Sequence, residues 1–150
     1  MGRQRATVAA RGFTLLEVLV TLFVIAVAVS LTVPTIGRGA EAIRARAEVA
    51  GFAAFFRHAR EQAITRREPQ RVVVEPDAHR LTVVVGEETI RQKRVFSAHL
   101  TIEPASPATL VVRFEPEGTS SGGAFRLTSG ATTYRVTVDA ATGRVRSVRE

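Results

Sequence analysis

The 150-residue sequence contains no cysteine, and that absence removes disulfide frameworks, thiol nucleophiles and cysteine zinc sites together. It leaves reducing and oxidising compartments equally open. Histidine is scarce as well: His58, His79 and His99 are dispersed, and His58, beside Arg57 and Arg60, reads as a surface residue rather than a ligand or base. No serine occupies a nucleophile-elbow pattern. The stretch "GTSSGG" at 118–123 lacks the lysine and the following helix of a phosphate-binding loop, which makes it a turn between strands. Lysine occurs once, at Lys93, among 21 basic residues, an imbalance that reads first as a genomic composition bias. No internal repeat is present. These gaps argue against an enzyme and against any metal or cofactor.

What is present begins with charge. The net charge is +7, yet Arg3, Arg5 and Arg11 precede an apolar run, a position where basic residues set membrane orientation. Beyond residue 12 the balance falls to 18 basic against 14 acidic residues. The apolar run, Phe13 to Val33, is 21 residues long and is broken only by Glu17 and small hydroxylated residues. About 20 helical residues at about 1.5 Å each cross a hydrocarbon core about 30 Å thick, so the run can span a membrane. A secretory signal peptide, with "AVA" at 26–28 as its cleavage site, is the rival reading. Against it stand the acidic residue near the start and the continuation of the run to Ile36.

A plain membrane anchor leaves Glu17 unexplained, because a charged side chain at the bilayer centre costs about 2.5 kcal/mol or more. Cutting the Gly12–Phe13 bond would expose an α-amino group on Phe13, and in an assembly of parallel helices that group could pair with Glu17 of a neighbour. Such a pair would favour assembly in the membrane and set the axial register between subunits.

The stretch "GFTLLEVLVTLFVIAVAVSLTVP" resembles the N-terminus of type IV prepilins and of the pseudopilins of type II secretion. The resemblance implies a leader at residues 1–12, cleavage between Gly12 and Phe13 by a membrane prepilin peptidase, and N-methylation of Phe13. It makes Glu17 the fifth mature residue, with a role in assembly. Pro34 matches a proline common in that family, and an interior proline removes a helical hydrogen bond and kinks the helix.

The transmembrane helix is expected over 13–36, continuing as an amphipathic helix over 37–68 until Pro69 stops it. Val49, Phe52, Phe56, Ala59 and Ala63 form one large apolar stripe suited to packing on a sheet. Ile43, Ala47, Ala50 and Ala54 form a smaller stripe almost opposite, which reads either as a surface for neighbouring helices or as alanine's helix propensity. Strands follow at 71–75, 80–85, 100–103, 109–114 and 124–127, with a turn at "EPDAH", while "EETIRQK" at 87–93 is too polar to place. In "TYRVTVDAATGRVRSV", Tyr134, Val136 and Val138 alternate inward, Gly143 ends a turn and Val145 resumes the alternation. The fold class is therefore α+β: a long N-terminal helix packed on an antiparallel β-sheet domain at 70–150.

"RFEPEGTSSGGAFRL" followed by "YRVTVDAATGRVRSV" is similar to the C-terminal half of the GspH/FimT family of minor pseudopilins and minor pilins. The resemblance implies a type IV pilin-like fold, an inner-membrane protein with its C-terminal domain in the periplasm, and a place at the tip of the type II secretion pseudopilus. Its partners would be major and minor pseudopilins. Some FimT-type members bind DNA for natural transformation through a Gly-Arg-x-Arg motif, here Gly143, Arg144 and Arg146. On a strand the two arginines would lie on one side, about 6–7 Å apart, a spacing that could engage backbone phosphates. The alternative is a glycine turn followed by a solvated strand edge, where arginines discourage unwanted pairing.

Overall fold

In the computed structural model the described residues are 13–86, 89–106 and 108–150, with the side chains of 31–39 excepted. Gly12 and the side chain of Pro34, with the kink expected there, lie outside the described residues. The chain divides into two compact units, Met1–Gly39 and Ala40–Glu150.

A single helix, α1 (Leu15–Arg66), contributes to both units. In the first unit Thr14 caps it: the Thr14 hydroxyl accepts a 3.2 Å hydrogen bond from the Glu17 backbone N–H, half of a Thr-x-x-Glu capping box. Every described side chain from Phe13 to Ser30 is exposed. The hydroxyls in this apolar stretch bond back to their own helix, Thr21 to the carbonyls of Glu17 and Val18, and Ser30 to that of Val27 at 2.8 Å. They therefore need no water. Among the described residues no helix is long and apolar enough to cross a membrane; the described side chains stop at Ser30 and resume at Ala40.

In the second unit α1 ends at Arg66, before Pro69. Arg67 takes a left-handed φ of 54°, its N–H donates to the Ile64 carbonyl at 3.3 Å, and the Glu68 N–H donates to Ala63 at 3.2 Å. This is a Schellman closure with arginine where glycine is usual. Eight strands follow: β1 (Gln70–Glu75), β2 (Arg80–Val85), β3 (Thr89–Val95), β4 (Leu100–Pro104), β5 (Val111–Phe114), β6 (Gly123–Ser129), β7 (Thr132–Val138) and β8 (Val145–Arg149). They form two antiparallel sheets, ordered β3-β2-β1-β5 and β4-β6-β7-β8. The expected sheet is thus two, because β4 pairs with β6 across the chain rather than with its neighbours in sequence.

Both sheets contribute to one core with the large helix stripe, whose residues Val49, Phe52, Phe56, Ala59 and Ala63 are all buried. Phe56 lies 5.2 Å from Phe52, 6.4 Å from Phe114 and 5.5 Å from Phe125, ring centre to ring centre, so side chains from α1, β5 and β6 meet in one aromatic cluster. The smaller stripe, Ile43, Ala47, Ala50 and Ala54, is exposed throughout. The polar segment at 87–93 contains most of β3, an edge strand with every residue exposed. Arg94 anchors it by lying against Gly51 of α1 and over the Phe96 ring at 5.3 Å. The turn after β1 holds His79, whose φ is 46° and whose Nδ1–H donates to the Leu100 carbonyl at 3.0 Å, tying the turn to the start of β4.

Candidate functional site

Two places carry chemistry that the core does not use. The first is the start of α1. Phe13 is 81% exposed, and Glu17 stands one helical turn further on among exposed leucines and valines. Its backbone N–H is used by the Thr14 cap, but its carboxylate has no ion-pair or hydrogen-bond partner among the described residues. Local structure therefore accounts for the glutamate's position on the helix and not for its charge. Leu15, Val18, Leu19 and Leu22 line an apolar groove of about 420 Å³ with Phe13.

The second is in the C-terminal unit, where α1 and the β7–β8 hairpin enclose a groove of about 580 Å³. Arg57 and Arg60 come from the helix, and Arg144 and Arg146 from the hairpin. The sequence-derived placement needs one correction: β8 begins at Val145, so Arg144 lies in the turn and only Arg146 is on the strand, opposite Thr137. Turn geometry still brings both to the same groove. Arg60 fixes the floor, its Nε–H donating to the Gly118 carbonyl at 3.0 Å, and Gly143 sits against both. The "GTSSGG" turn is thereby joined to the Gly143 turn.

Asp139 organises the hairpin end. Its carboxylate accepts from the Thr142 hydroxyl at 2.7 Å and from the Thr142 N–H at 2.8 Å. Those bonds, the hydroxyl one foremost, hold its carboxyl below the usual aspartate range, with a smaller contribution from the Arg146 charge. Arg57, Arg144 and Arg146 form no ion pair among the described residues, whereas Arg80, Arg91, Arg113, Arg126 and Arg135 all do.

Sequence reasoning found Arg144 and Arg146 and missed their partnership with Arg57 and Arg60. The available signal was helical spacing, since Arg57, Arg60, Glu61 and Ile64 recur at three- and four-residue steps and share one face. Among the described residues no group of three or more acidic or histidine side chains is arranged as a metal ion requires.

Residues 48–142 match the family described as Type II transport protein GspH, and residues 8–33 match the Prokaryotic N-terminal methylation motif. The chain is similar to the Type II secretion system protein H of Xanthomonas campestris pv. campestris, at 30% identity over 141 residues, covering 91% of this chain and 82% of the relative. Among solved structures, the type IV minor pilin FimU of Pseudomonas aeruginosa superposes with a TM-score of 0.57 at 20% identity, over 67% of this chain and 85% of that one. The minor pseudopilin EpsH of the Vibrio cholerae Type 2 Secretion System gives a TM-score of 0.57 at 16% identity, over 71% and 97%. At these identities the two structures establish a shared fold, α+β and pilin-like.

Proposed function

The chain belongs to the GspH family of type II transport proteins, and on that premise we propose a minor pseudopilin that is cut between Gly12 and Phe13, N-methylated on Phe13 and built into the tip of the periplasmic filament of type II secretion. The family is a structural one and associates with other pseudopilins. In the proposed life cycle residues 1–12 are the leader removed by prepilin peptidase. Residues 13–36 hold the subunit in the inner membrane with Arg3, Arg5 and Arg11 on the cytoplasmic side. The helix over 37–68 and the β domain at 70–150 stand in the periplasm.

The observation that carries this reading is the exposed Glu17 carboxylate, without a partner among the described residues, in a face of exposed leucine and valine. In lipid such a charge is costly alone, and the amine that cleavage frees on Phe13 of a neighbouring subunit is a counter-charge available within the same layer. Pairing is possible only between subunits at one axial offset, so the same contact supplies both affinity and register. Pro34 would let the helix bend as it leaves the bilayer.

The test is a Glu17→Ala chain expressed beside its partner pseudopilins. We expect a stable, membrane-held and processed protein that is absent from the filament fraction. Normal incorporation of that variant would sink the pairing mechanism.

A further inference from the structure

We infer that the groove between α1 and the β7–β8 hairpin is a docking site for an extended peptide segment of another protein in which acidic and apolar side chains alternate. Charge sets the first half of this ligand. Arg57, Arg144 and Arg146 face one groove without an ion-pair partner among the described residues, and Asp139, whose carboxylate feels the Arg146 charge, is already engaged by Thr142. Guanidinium groups in such a setting take planar carboxylates in two-point contacts.

The floor sets the second half. Ile64, 40% exposed, and the half-buried Val145 contribute apolar surface to the same groove. A segment with a leucine or valine between two carboxylates would bury that side chain while its neighbours reach the rim. Glu61 in the same lining separates this ligand from a nucleic acid. A peptide can turn a backbone N–H toward the Glu61 carboxylate, a donor that a DNA phosphodiester backbone lacks. Such a partner fits the assembly reading above. Binding here and incorporation through Glu17 are measured separately, so either can fail alone.

The experiment uses the full chain in nonionic detergent micelles and fluorescence anisotropy of a labelled Glu-Leu-Glu-Val-Glu peptide. A Gln-Leu-Gln-Val-Gln peptide, a Glu-Ser-Glu-Ser-Glu peptide and a labelled DNA duplex serve as comparisons. We expect salt-sensitive binding of the first peptide, weakened about tenfold or more by Arg144→Gln/Arg146→Gln and by Arg57→Gln. Ile64→Ser should weaken it several-fold, as should serine in the peptide. Arg149→Gln, on β8 outside the groove, should leave it unchanged. All these side chains are exposed, and an unaltered thermal melt for each variant separates lost binding from lost folding. Tighter binding of the duplex, equal binding of the glutamine peptide, an equal loss in Arg149→Gln, or no binding at low salt would each overturn the assignment.

Discussion

Gly143 has no room for a Cβ: one built there meets the Gly118 carbonyl and comes within 2.8 Å of Arg60 Nε, and the backbone stands at a φ of 61°. Both the left-handed backbone and the close approach require glycine, since an L side chain in that region is strained by about 1–3 kcal/mol before any clash. Gly143→Ala should therefore lower stability by about 1–3 kcal/mol or more in chemical denaturation and displace Arg144 and Arg146 from the groove. Unchanged stability would show that the two turns give way easily. Asp139, four residues earlier, adds a pH dependence of definite sign. Its folded pKa lies below its unfolded one because Thr142 bonds the charged form, so its contribution is complete above about pH 4 and is lost as pH falls further. Glu75, bonded by Arg80, and Glu150, bonded by Arg135, are shifted the same way and act in the same direction. Acidification from about pH 5 to about pH 3 should lower the melting temperature, and by less in Asp139→Ala than in the parent chain. An equal drop in both would remove Asp139 from the account.

At the scale of elements, α1 ends on a residue that does not suit its conformation. Arg67 closes the helix at a φ of 54°, and the following Pro69 prevents the chain from continuing helically instead. Arg67→Gly keeps both closing hydrogen bonds and removes the Cβ strain, so it should raise stability by up to about 1 kcal/mol by denaturant midpoint. A loss would mean that Arg67 makes contacts worth more than its strain. How legible each element was in the sequence follows from its burial. β1 and β2 place Val72, Val74, Leu81 and Val83 in the core and carry the valine-rich runs that mark them as strands. β3 buries nothing and is held by the pairing of β2 and by Arg94 on α1, so its residues had no reason to alternate. The last hairpin was readable because Val136 and Val138 face the core and Gly143 turns the chain.

For the whole molecule, the two candidate sites differ in how much folding they need to become visible. Glu17 was legible because a charge inside an apolar run is anomalous in one dimension. The arginine groove was half legible, since Arg144 and Arg146 are neighbours in sequence while Arg57 joins them only once the β domain packs against the helix. The division into two compact units at Gly39 leads to a last prediction. If the N-terminal unit alone carries the cleavage signal and the C-terminal unit alone carries the core, damage to one should leave the other unaffected. Phe56 is fully buried between Phe52, Phe114 and Phe125, so Phe56→Ala should cost about 3–5 kcal/mol of domain stability. The N-terminus of that variant should nevertheless be processed to Phe13, as read by the mass of the protein recovered from membranes. Gly12→Leu should give the reverse, a chain that keeps its leader while its thermal melt matches the parent. Retention of the leader in Phe56→Ala would mean that the peptidase responds to the folded domain as well as to the bond it cuts, and the two units would then have to be treated as one recognition surface.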